Sequence, residues 1–357
     1  MADRKQILAI NPGSTSTKIA LYEGENEIFE KSIPHTTQEL AAFENVTAQF
    51  EYRRDLILEE LAHERVEFSS LGIVVGRGGL IRPVASGVYE VNESLMKDLW
   101  GALMGEHASN LGGLLAHDIA GRAGVKAIIA DPVVVDELDS VARLSGHPLF
   151  KRTSIFHALN QKSVARRYAH SLGKEYEELN LIVAHMGGGV SVGAHHKGRV
   201  IDVNNALGGE GPFSAVRAGT VPGLQLAELC FSGKYTRNDI VQMLIGKGGL
   251  VAHTGSNDAR EARARAAAGD HYAQLVIEAL GYNVGKSIGA MAAVLGGKVD
   301  GVLLTGGMAH STQICGYIRR MVEFIAPVTI YPGENEMRAL AHNGRLMLAG
   351  KLVPKVY

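Results

Sequence analysis

The sequence has few of the residues that mark secreted, metal-scaffolded or nucleic-acid-binding proteins. Its 357 residues include two cysteines, Cys230 and Cys315, with neither CxxC nor Cys/His ligand spacing. This gives little support for a disulfide framework or a zinc site. Lys plus Arg (36) nearly balances Asp plus Glu (37), and no five like charges stand together. The charge pattern of a nucleic-acid binder is therefore missing, and a small-molecule partner is expected.

Long apolar runs are also missing. The two longest windows without Asp, Glu, Lys or Arg, 179–196 and 301–318, are interrupted by glycine, histidine and hydroxyl residues, so neither is expected to span a bilayer. A strand-like run begins at residue 7, too early to leave room for the apolar region of a signal peptide. We therefore expect a cytoplasmic protein that makes no membrane contact.

Glycine, in contrast, is abundant and clustered. The chain has 43 glycines in 357 residues, about 12% against an average near 7%. Three glycine-rich turns, 11–18, 185–193 and 305–311, each follow an apolar run, and such turns bring backbone N–H groups close to phosphate oxygens. They predict a nucleotide site, but every GxG lacks the third glycine of a dinucleotide fingerprint. The candidate nucleotide-binding residues are Asn11, Ser14, Ser16, Lys18, His185, Gly187, Gly188, Gly189, Gly306 and Gly307.

The strand, polar turn and strand at the start of the chain recur 174 residues later, where Gly13 and Gly24 fall on Gly187 and Gly198. A chain of this length also exceeds the roughly 250–300 residues at which a single core stops growing. The two observations together predict two domains that derive from one duplicated unit. We place the hinges near 150–156 and 334–337.

Strand and helix patterns alternate along both halves, which favours an α/β fold with mixed sheets. Beyond the two hairpins, short apolar runs predict strands over 71–75, 127–130, 302–304 and 328–331. Helical patterns cover 36–64, 92–104, 158–172, 221–295, a segment from about 311, and 335–349.

Four motifs resemble the acetokinase family of carboxylate kinases, in the sugar kinase/heat-shock/actin superfamily. They are Asn11-x-Gly13-Ser14-x-Ser16-x-Lys18, Phe156-His157-Ala158-Leu159-Asn160-Gln161-Lys162, His185-Met186-Gly187-Gly188-Gly189-Val190-Ser191 and Arg217-Ala218-Gly219-Thr220-Val221-Pro222. The resemblance implies a duplicated actin-like, ribonuclease H-like two-domain fold with mixed sheets and a central cleft. By this interpretation the first domain covers 1–153 and is completed by the helix in 337–357, and the nucleotide-binding domain covers 154–336.

The resemblance also implies ATP and ADP, Mg²⁺, a short-chain carboxylate substrate, a reversible reaction to an acyl phosphate, and a homodimer or larger homo-oligomer. A carboxylate is already nucleophilic at neutral pH, so such a kinase needs in-line positioning and positive charge rather than a catalytic base. A non-enzymatic ATP-driven switch and a sugar or hydroxyl kinase on the same fold remain alternatives.

Individual roles follow from the same resemblance. Arg217 matches the catalytic arginine, His157 matches the histidine that stabilises the transition state, and His185 matches a second histidine at the phosphate turn. Phe156, next to His157, is assigned to the substrate. Asp131 follows a strand, where carboxyl ends open toward ligands, and is the candidate to hold Mg²⁺ through water; as a base it would serve a hydroxyl kinase instead.

The chain departs from the family at two places. Acetate kinases carry Arg-Val-Val-His-Gly-Gly where this chain has Val74-Val75-Gly76-Arg77-Gly78-Gly79, so either Arg77 or Arg82 replaces the displaced arginine. Gly76 stands where a valine narrows the pocket of acetate kinases, which predicts room for butanoate or a branched acid. Alternatively, Gly76 only allows the chain to turn into Arg77-Gly78-Gly79. Near the last helix, either Glu334 or Glu336 is expected to face the metal, unless both only favour the helix N-terminus.

Overall fold

Both sheets begin with an antiparallel hairpin at the positions that the sequence repeat predicts. The computed structural model describes residues 5–357; residues 1–4, with which the predicted first domain begins, lie outside the described residues. Strands β1 (Gln6–Pro12) and β2 (Ser16–Glu23) form the first hairpin. Strands β7 (Asn180–Met186) and β8 (Val190–His196) form the second, and β7 begins 174 residues after β1.

The turn that follows the second strand of each hairpin contains a glycine with positive φ. Gly24 has φ +63° and Gly198 has φ +86°, which is the left-handed region that glycine enters without steric cost. A third antiparallel strand follows each turn, β3 (Asn26–Pro34) in the first half and β9 (Arg199–Val203) in the second. The repeat seen in the sequence is therefore a repeat of structure.

The two sheets share the order of five strands, and the first sheet has a sixth strand at one edge. The first is β3-β2-β1-β4-β6-β5 and the second is β9-β8-β7-β10-β11. In the first sheet β1 pairs in parallel with β4, and β4 pairs in parallel with β6. In the second sheet β7 pairs in parallel with β10, and β10 pairs in parallel with β11. The remaining strands are β4 (Leu71–Arg77), β5 (Val88–Glu90), β6 (Lys126–Ala130), β10 (Gly301–Gly306) and β11 (Val328–Pro332). The predicted duplicated α/β architecture with mixed sheets is confirmed.

Helices connect the strands, and most lie where the sequence predicts them. They are α1 (Thr37–Leu40), α2 (Phe50–His63), α3 (Glu93–Trp100), α4 (Asn110–Ala123), α5 (Ala158–Ser171), α6 (Gly223–Cys230), α7 (Arg237–Leu244), α8 (Leu250–Thr254), α9 (Ala259–Ala267), α10 (His271–Val294), α11 (Thr312–Val322) and α12 (Glu336–Leu348). The sequence prediction missed α4. In residues 5–357, no helix has both the length and the apolar character that crossing a bilayer requires.

The chain divides into two compact units, one formed by the chain up to Val135 with Asn335–Tyr357, the other by Asp136–Glu334. We call them unit 1 and unit 2. The sequence places the domain boundary later, after residue 153, and starts the returning helix at 337. Residues 136–153 pack in unit 2 because Asp139 N–H donates to the Ile201 carbonyl (2.9 Å) and Arg152 pairs with Asp202 (3.0 Å).

Strand alternation in β7 determines what each side of the unit 2 sheet carries. Ile182 and Ala184 belong to the core cluster that includes α10 and α11, and Leu181 and Val183 to the cluster that includes α5. Because successive residues point to opposite faces, the next residue on the α5 side is His185. The end of β7 therefore presents a histidine to the first turns of α5.

Candidate active site

His157 and His185, two of the predicted site residues, are stacked in unit 2. Their ring centroids are 3.7 Å apart and the ring planes are inclined by 9°. His157 immediately precedes α5, and His185 lies at the end of β7, where its side chain is completely buried. Two histidines that are distant in sequence therefore form one imidazole pair.

Polar side chains from α5, β8 and the end of unit 2 hold this pair. His157 Nδ1 is 2.9 Å from Ser191 Oγ, and His185 Nδ1 is 2.7 Å from Asn160 Oδ1. Asn160 Nδ2 also donates to the backbone carbonyl of Glu334, whose Oε1 lies 3.8 Å from His185 Nε2. Glu334, a predicted metal ligand, therefore lies against the second histidine.

A second layer of hydrogen bonds supports Ser191. Gln161 Nε2 lies 2.8 Å from Ser191 Oγ and 3.0 Å from the Ser191 carbonyl oxygen. Gln161 Oε1 is 2.9 Å from His195 Nε2, and His195 Nδ1 is 2.7 Å from the Tyr176 hydroxyl. Burial, with the nearby charges of Lys162 and Arg166, lowers the pKa of His195 well below its usual value. His195 is therefore a neutral ring at physiological pH.

The two glycine turns of unit 2 lie side by side. His185 pairs with Thr305 between the parallel strands β7 and β10. The next residue of β10, Gly306, has φ +91°, and a Cβ there would lie 2.4 Å from the Met186 carbonyl oxygen. In contrast, a Cβ at Gly188 or Gly307 would have no neighbour within 4 Å. The two turns thus meet through backbone at Gly306 and leave open space beside Gly188 and Gly307.

Arg217, the predicted catalytic arginine, lies against the first of these turns. Its guanidinium occupies the place where a Cβ on Gly189 would be, and Nη1 donates to the Ala206 carbonyl. Nε is buried without a hydrogen-bond partner, and no carboxylate within residues 5–357 pairs with the group. Burial lowers the Arg217 pKa from its usual value. An arginine in these surroundings favours an anionic ligand, because a buried cation is costly without a countercharge.

Phe156, the predicted substrate residue, is only 2% exposed and precedes His157 directly. Its assignment to the substrate stays a prediction.

In unit 1, Arg77 lies in a buried polar cluster at the ends of β1 and β4. Its Nη1 is 2.9 Å from Glu336 Oε2 and 3.2 Å from Asn11 Oδ1, and Asn11 Nδ2 donates to the same Glu336 oxygen at 2.7 Å. Arg82, the alternative to Arg77, instead pairs with Asp98 on the surface, under the ring of Tyr357. Of the two candidates, Arg77 is the one that shares a site with predicted ligand-binding residues.

Asp131 lies next to this cluster, because Arg77 pairs with Ala130 in the parallel register of β4 and β6. Its Oδ1 accepts hydrogen bonds from Ser86 Oγ (2.6 Å) and from the backbone N–H of Gly87 (2.8 Å). The carboxylate is 3% exposed and holds the 86–87 turn. Its assignment to Mg²⁺ stays a prediction.

A buried arginine that the sequence prediction missed forms hydrogen bonds to the first glycine turn. Arg53 of α2 is 1% exposed, and its Nη1 donates to the Gly13 carbonyl (2.9 Å) and to Thr17 Oγ1 (3.1 Å). Thr17 Oγ1 is also 2.8 Å from Nε2 of His35, whose pKa burial lowers to about 4. In the same turn, Ser14 is exposed, and Ser16 and Lys18 are half-buried.

The structure corrects the interpretation of Gly76 as the opening of an acyl pocket. A Cβ at Gly76 would lie 2.2 Å from the backbone carbonyl oxygen of Gly112 in α4 and 3.1 Å from the Ala116 side chain. The space that a valine would occupy is filled by the helix. Gly76 therefore allows β4 and α4 to approach each other backbone to backbone, and it opens no pocket on that side.

The predicted metal ligands offer carboxylate oxygens, which suit a hard cation such as Mg²⁺. Among the described residues, the grouping of three acidic or histidine side chains with ligand atoms within 4.8 Å of one another is Glu60, His63 and Glu64, at the C-terminal end of α2, where Lys31 pairs with both glutamates. Mg²⁺ commonly keeps water and nucleotide phosphates as most of its ligands, so one or two protein carboxylates are sufficient.

Comparisons with known proteins agree on the family. The model of the family described as "Acetokinase family" matches residues 148–339. Over 352 residues, which cover 99% of this chain and 99% of each relative, the chain is 53% identical to "Butyrate kinase 2" and 51% identical to "Butyrate kinase 1" of Clostridium acetobutylicum. The crystal structure of Porphyromonas gingivalis acetate kinase superposes with a TM-score of 0.77 at 19% identity and covers 96% of this chain and 100% of that one.

The family match and the full-length similarity to butyrate kinases show that the protein is a phosphotransferase, and the duplicated actin-like α/β fold agrees with this class. The chain belongs to the acetokinase family. It is therefore a kinase with a carboxyl group as acceptor, and ATP and ADP are its nucleotides.

Proposed function

We propose that the protein catalyses the reversible transfer of the ATP γ-phosphoryl group to butanoate, which yields butanoyl phosphate and ADP. The observation that carries this proposal is the 53% identity, over the whole length of both chains, to a protein named "Butyrate kinase 2". The acid itself is the acceptor, so the new bond joins a carboxylate oxygen to phosphorus while the bond from phosphorus to the β-phosphate oxygen breaks.

We assign the 185–193 and 305–311 turns of unit 2 to the nucleotide phosphates. Unit 2 is then the nucleotide-binding domain. Arg217 supplies positive charge to the equatorial oxygens of the transferring group, since planar guanidinium donors suit such oxygens. His157 donates a hydrogen bond to the same group. Both contacts gain strength as charge spreads over the transferring oxygens, and this is where transition-state stabilisation arises.

In unit 1, we assign Arg77 to the substrate carboxylate, and Asn11, Ser14, Ser16 and Lys18 to phosphate oxygens. A divalent Mg²⁺ would be held by Glu336 and Asp131, with Glu334 of unit 2 as the alternative ligand. When bound, it would neutralise charge on the nucleotide phosphates. The homo-oligomeric state and the cytoplasmic location stay predictions.

The proposed reaction is tested by trapping acyl phosphate as hydroxamate. The purified protein is incubated with ATP, Mg²⁺ and hydroxylamine, together with acetate, propanoate, butanoate, isobutanoate, a branched five-carbon acid or a sugar. We expect the largest kcat/KM with butanoate. A larger kcat/KM with a branched acid would change the assigned substrate but not the reaction type. Product with sugar alone, or ATP turnover without hydroxamate, would contradict the proposed reaction.

The Arg53 support leads to a further prediction about the first turn. Arg53→Lys keeps the charge but loses the planar fork that reaches both Gln49 and the Gly13 carbonyl. We expect the KM for ATP to rise by about 10-fold, the equivalent of one charge-assisted hydrogen bond. The matched control is Arg54→Lys on the same helix, because Arg54 pairs with its neighbour Asp55 and lies over the Phe50 ring, away from the turn. An equal effect in both variants would return Arg53 to a purely structural role.

A further inference from the structure

Hydrogen-bond directions around the stacked histidines determine where the ring protons lie. We propose that Ser191 and Gln161 are positioning residues that hold His157 in the tautomer with its proton on Nε2. The tautomer follows from the contacts in unit 2 alone. Its use, as a hydrogen-bond donor to the transferring phosphoryl group, rests on the proposed function.

The Gln161 amide has one defined orientation. A backbone carbonyl oxygen only accepts hydrogen bonds, so the Gln161 atom that lies 3.0 Å from the Ser191 carbonyl oxygen is the amide nitrogen. The same nitrogen is 2.8 Å from Ser191 Oγ and donates to it. The other amide atom, Oε1, accepts from His195 Nε2 at 2.9 Å. Gln161 is therefore locked in one orientation by a carbonyl on one side and a neutral imidazole on the other.

The Ser191 hydroxyl hydrogen is donated to His157. Ser191 is completely buried, so its hydroxyl has no access to solvent. Its oxygen receives the Gln161 hydrogen bond, and in the described part of the chain the acceptor within reach of its own hydrogen is His157 Nδ1, at 2.9 Å. A buried hydroxyl hydrogen without an acceptor is costly, so it is donated to His157 Nδ1. Nδ1 is then unprotonated, and the neutral ring carries its hydrogen on Nε2.

His185, which stacks on His157, has the opposite hydrogen-bonding role at its Nδ1 atom. Asn160 donates from Nδ2 to the Glu334 carbonyl, which identifies its other amide atom as the oxygen. That oxygen, 2.7 Å from His185 Nδ1, accepts a hydrogen from the ring. His185 thus uses Nδ1 as a donor while His157 uses Nδ1 as an acceptor. Two rings 3.7 Å apart therefore have different, fixed hydrogen-bonding roles.

The tautomer is measured directly in the free protein. We would label the chain with ¹⁵N-histidine and record long-range ¹H–¹⁵N correlations of the rings at neutral pH, with His157 assigned by its loss in His157→Gln. We expect His157 Nδ1 to resonate as an unprotonated nitrogen and Nε2 as a protonated one. A protonated Nδ1 with an unprotonated Nε2 would overturn the proposal, and this measurement needs neither a Ser191 variant nor any substrate.

The role in catalysis is measured with Ser191→Ala. Without the hydroxyl, the two His157 nitrogen shifts should move toward each other as the tautomers exchange, and kcat should fall by about 10-fold with the KM for ATP nearly unchanged. Ser191→Thr, which keeps a hydroxyl, should restore both readouts at least in part. The matched control is Ser171→Ala, because the Ser171 hydroxyl donates to a carbonyl within α5. Unchanged shifts and kcat in Ser191→Ala would overturn the positioning role.

Failure of the proposed function would look different. If the wild-type protein forms no acyl phosphate but His157 carries its proton on Nε2 and loses that preference in Ser191→Ala, the reaction assignment fails and the tautomer assignment stands.

Discussion

Replacing Arg217 with alanine is expected to lower kcat by at least about 100-fold while the KM for ATP changes little, because single donors to transition-state charge are worth roughly 3–4 kcal/mol. Arg217 lies against Gly189 and has no carboxylate partner in the part of unit 2 that the structure describes. Its charge is therefore available to a bound anion rather than to a protein ion pair. Steady-state kinetics with ATP and butanoate measure the effect.

Two further variants make this result specific. Arg217→Lys should recover only part of the loss, because an ammonium keeps the charge without the planar fork. Arg199→Ala is the control, since Arg199 is an exposed arginine of the same unit that pairs with Asp139 on the surface. We expect it to turn over like the wild type. Wild-type turnover in Arg217→Ala would remove this arginine from the mechanism.

Gly76→Val is expected to destabilise the protein by at least about 3 kcal/mol, because the new side chain would overlap the backbone of α4. A Cβ at residue 76 would lie 2.2 Å from the Gly112 carbonyl oxygen and 2.6 Å from its carbonyl carbon. Backbone atoms in a buried helix cannot move aside as a flexible side chain can. Chemical denaturation measures the change in the free energy of unfolding, and activity with acetate and with butanoate should fall together.

The control for Gly76 is Gly121→Val on α4. A Cβ at Gly121 has no neighbour within 4 Å, and glycine is a poor helix former, so this change should leave the free energy of unfolding within about 1 kcal/mol of the wild type. If Gly76→Val is as stable as the wild type and selectively loses activity toward butanoate, the acyl-pocket interpretation is restored.

The sequence and the structure disagree most at α4. Its interior contains Gly112 and Gly113, and glycine lowers helix propensity, so local patterns did not predict a helix there. The structure gives the reason for the first of these glycines. A Cβ at Gly112 would lie 2.3 Å from the Arg77 carbonyl oxygen, so the helix needs glycine to lie directly on β4. The interpretation of Gly76 was wrong for the same reason, because its neighbour is a helix backbone that no local pattern predicts.

The sequence by itself was sufficient for the duplicated hairpins, the strand and helix order of most of both units, the glycine turns and the family motifs. These features depend on alternation and turn chemistry within a few residues, which a single chain displays directly. The sequence did not identify the partners of the site residues. The ion pair between Arg77 and Glu336 joins positions 259 residues apart, and the Arg53 contact to Gly13 spans 40 residues. Only the tertiary structure paired Arg77 with Glu336, Arg82 with Asp98 and Arg53 with the first turn, and stacked His157 on His185. These contacts depend on how separate elements pack and not on the residues nearby in the chain.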